Sequence, residues 1–146
     1  MTDTEQSQSL EPVHVGEDDA RGLGWAYWLV IFLRVMAALS MAKGLYHWAV
    51  VLGMDGSPAQ SFESQGTPYQ VATVFFAVID LVAAVGLWLA APWGAVVWLT
   101  AVISMVAVET LFPQIYGGSM VIVIAELILL GVYLALALMA AREQPA

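Results

Sequence analysis

Cysteine is absent from this sequence, and positive charge nearly so: four Lys and Arg residues stand against twelve Asp and Glu. Without cysteine there are no disulfides, no thiol redox chemistry, no iron–sulfur clusters and no cysteine-based zinc sites. Charge of either sign is sparse, at 11% of residues, where a soluble domain carries about a quarter. So little polar surface cannot wrap a water-soluble core. With 61% hydrophobic residues and a mean hydropathy of +0.82, the natural solvent of this chain is lipid. Also missing are a glycine-rich phosphate loop, an HExxH pair and a serine nucleophile elbow, so nothing in the sequence argues for an enzyme. A net charge of −8 excludes nucleic acid as a partner.

The acidic residues are unevenly placed. Asp3, Glu5, Glu11, Glu17, Asp18 and Asp19 all precede the first basic residue, Arg21. Residues 1–22 therefore read as a disordered acidic tail with little to bury, suited to a protein partner. A secretory signal begins with a positive region, and this one is acidic, so the apolar run that follows reads as a retained transmembrane helix.

Four apolar segments are each near the roughly 20 residues needed to cross a bilayer. They run from about 25 to 52, 69 to 91, 93 to 112 and 119 to 141. Trp25, Tyr27 and Trp28 at one end of the first span and Tyr46 and Trp48 at the other resemble interfacial belts. Pro92-Trp93-Gly94, Pro113 and Gly117-Gly118 punctuate the later spans. A β-barrel would need alternating polar and apolar residues over about ten positions, and these runs are continuous. The expected fold is all-α, a four-transmembrane-helix bundle over residues 25–141.

The one sizeable connection is residues 53–68. Outside the spans the basic residues are Arg21 and Arg142, next to the two termini. Four spans and the positive-inside rule then place both termini in the cytoplasm.

Every span carries an ionisable residue: Arg34, Lys43 and His47 in the first, then Asp80, Glu109 and Glu126 in turn. Unpaired, each costs about 2.5–3.5 kcal/mol at mid-bilayer, so pairing inside the bundle is expected. Counting depth from each span's midpoint at about 1.5 Å per residue gives two layers. One joins Arg34 with Asp80; the other joins Lys43 with Glu126, Glu109 and His47. Arg34 and Lys43, nine residues apart, fall on opposite faces of a straight helix. Arg34 is expected inside the bundle, and Lys43, with its long stem nearer an interface, is expected to snorkel. Intramembrane ion pairs most often fix helix register; a proton pathway and a ligand site between helices are the functional alternatives. His47 reads most simply as an interfacial hydrogen-bonder. The one other histidine, His14, lies in the tail, which disfavours a bis-histidine haem. Trp88, Trp93 and Trp98 read most simply as lipid-facing or interfacial anchors, and Ala77, Ala83 and Ala84 as close helix packing.

The stretch LRVMAALSMAKGLYHW (33–48) resembles the opening helix of DoxX-like membrane proteins, with Arg34, Ala38, Gly44 and His47 at matching spacing. The next segment, VIDLVAAVGLWLAAPWGAVVWLTAVISMV, resembles that family's acidic residue, glycine, short turn and apolar third helix, with Asp80 and Gly86 at those positions. Here Asp stands for the usual Glu, His47 stands where Lys is common, and Lys43 is additional. The chain is also similar to small four-helix inner-membrane proteins of alphaproteobacteria. The resemblance implies a bacterial inner-membrane bundle and, since some DoxX-like proteins accompany quinone-linked oxidoreductases, a link to membrane redox complexes. Relatives with disulfide chemistry depend on cysteines that this chain lacks. Three functions follow as expectations. The first is a non-enzymatic accessory or scaffold subunit, without cofactor, meeting its partner through the acidic tail or helix faces. The second is a redox-associated subunit whose His47, Glu126 or Asp80 helps form a quinone pocket. The third, and weakest, is a proton-coupled transporter using Asp80; no inverted repeat supports it.

Overall fold

A computed structural model of the chain describes residues 24–54, 56 and 61–143. The acidic tail expected over residues 1–22 lies outside them, as does part of the long connection. Four long helices, α1 (Trp25–Val51), α2 (Thr67–Trp88), α3 (Pro92–Leu111) and α5 (Met120–Glu143), are joined by short links. These links include a 3-10 turn at Phe62–Ser64 and a single helical turn, α4 (Pro113–Tyr116). No strand occurs among the described residues. All four long helices are long and apolar enough to cross a membrane, which makes this a multi-pass membrane protein.

The helix ends follow from local chemistry. At the end of α1 the Gly53 amide donates to the Val50 carbonyl at 3.0 Å and the Met54 amide to Ala49 at 2.9 Å. Gly53 sits at φ +68°, the left-handed conformation this cap demands. The end of α2 repeats the pattern through Ala90 to Leu87 and Ala91 to Gly86, both at 3.0 Å. There the left-handed position is held by a non-glycine residue, Ala90, at φ +51°. This cap stops α2 at Trp88, three residues before the expected boundary. Pro92 then opens α3, where its missing amide proton costs nothing. A Cβ on either Gly86 or Gly94 would fall on the backbone of the other, so this pair lets α2 and α3 leave their turn in direct contact.

Neighbouring helices run antiparallel. α1 packs against α2 and α5, and α3 packs against α2 and α5, closing a ring of four. The buried positions of α1 are Met36, Ala37, Ser40, Gly44, His47 and Val50, a stripe at helical spacing. Gly44 is a packing residue rather than a bend: a Cβ there would strike the Leu81 side chain at 2.8 Å, and α1 is unbroken. The expected packing role of Ala77, Ala83 and Ala84 is met, since all three are buried. At the end of the bundle nearer the termini, Met36, Ala37, Ala83, Leu87, Trp98 and Val102 form the apolar core. Phe32, Trp98 and Tyr133 interlock there, with Trp98 edge-on to both partners. At the same end Glu143 accepts the Trp25 backbone amide proton at 2.8 Å, placing a carboxylate at the positive N-terminus of α1.

Candidate functional site

Polar groups gather at the opposite end of the bundle. Lys43 projects from the edge of the α1 stripe, and its Nζ donates to Glu126 Oε1 of α5 at 2.9 Å. The same ammonium lies 3.9 Å from Asp80 Oδ1 of α2. Asp80 is 1% exposed, and neither of its carboxyl oxygens has a hydrogen-bond partner among the described residues. One cation thus bridges three helices and offsets part of the cost of placing two acids in an apolar bundle.

Glu109, in the last turn of α3, is 4% exposed. Its Oε2 accepts the Ser119 amide proton at 2.7 Å, where the chain turns into α5. The acid therefore sits at the N-terminus of α5 and caps it from another helix. Its other oxygen, Oε1, is buried without a partner among the described residues.

His47 is buried between aromatic rings, roughly parallel to Phe76 at 5.9 Å and beside Tyr116 at 6.2 Å. Tyr116, on α4, shares a hydrogen bond with Thr73 at 3.1 Å and meets Tyr69 edge-on at 5.5 Å. Burial pushes the Tyr116 phenol up to about 12, so it keeps its proton under physiological conditions.

Between these groups lies a cavity of about 460 Å³. Its polar lining is Lys43, His47, Glu109 and Glu126, its aromatic lining Tyr46, Tyr69 and Tyr116, and its apolar lining includes Val50, Met105 and Leu129. Among the residues around it, Tyr46, Ile122 and Ala125 are exposed, so its mouth lies between α1 and α5, on the side turned to lipid. Asp80 stands behind Lys43 and is not part of this lining. Among the described residues no group of three or more His, Asp and Glu side chains is arranged to hold a metal ion.

Over residues 27–144 the sequence matches DUF6163, a family of unknown function. The chain belongs to that family. No curated protein and no solved structure matches it. The DUF6163 match covers all four membrane helices but for the first two residues of α1, so the polar cluster and the apolar core both lie within the family's own boundaries.

In this DUF6163 chain the two α1 cations exchange the places expected of them. Arg34 is exposed, makes no ion pair among the described residues, and lies over the Trp88 ring at 4.9 Å. Lys43 turns inward. The cause is register: antiparallel packing sets Lys43 opposite Asp80, and therefore Arg34 opposite Trp88, two turns further along α2. Counting depth from span midpoints misplaced α1 against α2 by about one helical turn, or about 5 Å. The expected Arg34–Asp80 pair is accordingly not formed. Of the second expected layer, Lys43 and Glu126 are in direct contact. Glu109 serves as a cap instead of pairing with Lys43, and His47 stacks on rings. Trp98, expected to face lipid, is 3% exposed and central to the core, whereas Trp88 and Trp93 are exposed.

Sequence reasoning passed over Tyr69, Thr73 and Tyr116. A signal existed for Thr73: it shares a face of α2 with Phe76, Ala77, Asp80 and Ala84 at steps of three and four. Tyr116 had none, because the turn that carries it looks like plain helix punctuation.

Proposed function

We propose that this chain is a small multi-pass protein of the bacterial inner membrane that binds an amphipathic molecule drawn from the bilayer. The observation behind this reading is the cavity between α1 and α5, with buried ionisable groups at its base and its mouth toward lipid. Intramembrane ionisable residues that line a cavity commonly mark a ligand or ion site. A volume of about 460 Å³ falls in the range of small-molecule pockets, about 300–1,000 Å³. With Arg21 and Arg142 beside the termini, both termini are cytoplasmic, and the cavity then occupies the outer half of the membrane. A quinone headgroup, suggested by the DoxX-like resemblance, is one candidate occupant.

A second reading, an accessory subunit of a membrane complex, draws on α5. Its buried residues are Val123, Glu126 and Ala140, which leaves most of a long apolar helix for lipid or for a partner helix.

Equilibrium binding in lipid nanodiscs tests the first reading against the second. Short-chain amphiphiles with neutral, cationic and anionic heads are titrated into the loaded discs and into empty ones. At least one head should bind saturably at one per chain, and Ala125→Trp at the cavity mouth should abolish that binding. Partitioning indistinguishable from empty discs for every head contradicts the reading. Recovery of the chain with a stoichiometric protein partner, alongside that result, supports the accessory role.

A further inference from the structure

The cation of α1 that does not turn inward has no counter-charge among the described residues. Both ion pairs found there belong to Lys43. Asp80, Glu109 and Glu126 gather at the polar end, Glu143 holds the Trp25 amide, and Glu63 lies on the 3-10 turn of the long connection. Arg34 is exposed, with its guanidinium carbon 4.9 Å from the centre of the Trp88 ring. That attraction uses the π-face of the ring and no acceptor atom, so it leaves the N–H fork of the guanidinium unmatched.

The depth of this cation follows from Trp88, the last residue of α2, which residues 89–91 join directly to α3. A turn between two spans lies at the membrane surface, where water reaches its free backbone groups. The exposed rings of Trp88 and Trp93 on either side of the turn mark the same level. The guanidinium therefore stands at headgroup depth, in the leaflet on the side of the termini.

From this point a groove of about 420 Å³ runs between α1 and α2 toward the middle of the bilayer. Ala38 and Met41 follow Arg34 along one face of α1, at steps of four and three. Buried Ala37 and Ala84 form the floor of the groove, and exposed Val85 and Trp88 its α2 side. No charged residue lines it, and it is open to the bilayer, a shape suited to a hydrocarbon chain lying along it. Trp88 belongs both to this lining and to the Arg34 contact, so a head on Arg34 and a chain in the groove can come from one molecule.

We propose that Arg34, Trp88 and the α1–α2 groove form a site for one anionic phospholipid, its phosphate on the Arg34 guanidinium and an acyl chain in the groove. Guanidinium binds phosphate through two parallel N–H donors. A zwitterionic head carries its own ammonium, which competes for the same phosphate. The net charge of −8 repels anionic lipid from the chain at large, so enrichment of such a lipid reports on a local site. This site lies at the other end of the bundle from the cavity and stands whether or not the cavity takes a ligand.

The test is lipid retention by the full chain, read by native mass spectrometry after release from nanodiscs of equal phosphatidylglycerol and phosphatidylcholine with matched acyl chains. One phosphatidylglycerol per chain should be retained, at about five-fold over phosphatidylcholine, the preference one basic residue gives near an anionic surface. Arg34→Gln should bring the two lipids to parity, with thermal unfolding in the same discs confirming its fold. Ala38→Phe, which fills the groove and keeps the cation, should lower retention of phosphatidylglycerol, whereas Ala125→Trp at the cavity mouth should leave it unchanged. Glycerophosphate, the head without its chains, should not displace the lipid; displacement would overturn the role of the groove. Equal retention of the two lipids by the parent chain, the outcome expected if the acidic tail folds back onto Arg34, overturns the proposal. So does a preference that survives Arg34→Gln.

Discussion

The two ends of this bundle are made from the same four helices and differ in almost everything else. Near the termini, Phe32, Met36, Leu87, Trp98, Val102 and Tyr133 interlock around a core without an acidic or basic member. Toward the long connection lie Lys43, His47, Asp80, Glu109 and Glu126, and a cavity opens between α1 and α5 while α1 stays in close contact with α2 at Gly44 and Leu81. In lipid, hydrophobicity does not draw helices together, because acyl chains are as apolar as leucine. Association then depends on fit or on polar contact, and the two ends weight these differently. The aromatic end joins the helices by close packing; the polar end adds to its packing an ammonium shared by three helices and leaves a cavity between α1 and α5.

The comparison can be broken from either side. The largest loss should come from the aromatic end: Trp98→Ala removes its central ring and should cost about 4 kcal/mol, read as unfolding in mild detergent, with amphiphile binding per folded molecule unchanged. Lys43→Met should cost somewhat less, about 3 kcal/mol, because it leaves Asp80 and Glu126 facing one another without a cation. Unlike Trp98→Ala it should also alter binding, and Lys43→Met combined with Asp80→Asn should recover part of the stability. A Lys43→Met variant as stable as the parent would mean the polar end is not held by charge. Arg34→Gln removes only an exposed cation over Trp88, and its cost should be about 1 kcal/mol or less. An effect of similar size should be a gain. Ala90→Gly relieves a left-handed alanine in the α2 cap and should stabilise by about 1 kcal/mol, provided the turn keeps its hydrogen bonds.

The sequence made the four spans and their punctuation readable because lipid imposes them: continuous apolar runs must be helical, and Gly53, Pro92 and Pro113 mark where helices stop or start. Pairing was expected because leaving ionisable residues apart is costly, and it holds for Lys43 with Glu126 and Asp80 but not for Arg34. What the sequence hid was which one meets which. Arg34 and Lys43 are nine residues apart on opposite faces, so choosing the inward cation requires the rotation of α1 and its offset from α2. Both are set by contacts between α1 and α2, such as Gly44 on Leu81, whose partner the sequence does not name. The stripe of Ser40, Gly44 and His47 did carry the rotation, because small and polar residues at steps of three and four mark a helix interface in lipid. The cap made by Glu109 on Ser119 joins two helices across a turn, and local pattern does not predict where such a turn folds back.

The absence of cysteine provides the decisive measurement, because a single introduced thiol is the chain's only one. Ala125→Cys places it at the mouth of the cavity, and Ala38→Cys places it in the separate groove between α1 and α2 near Trp88. Both positions are exposed to lipid and should react with a membrane-soluble maleimide. With the amphiphile that binds saturably in nanodiscs present, labelling at Ala125→Cys should slow at least ten-fold while labelling at Ala38→Cys keeps its rate. Equal slowing at both positions, or none at either, would contradict a bundle in which that amphiphile's site lies at the polar end alone.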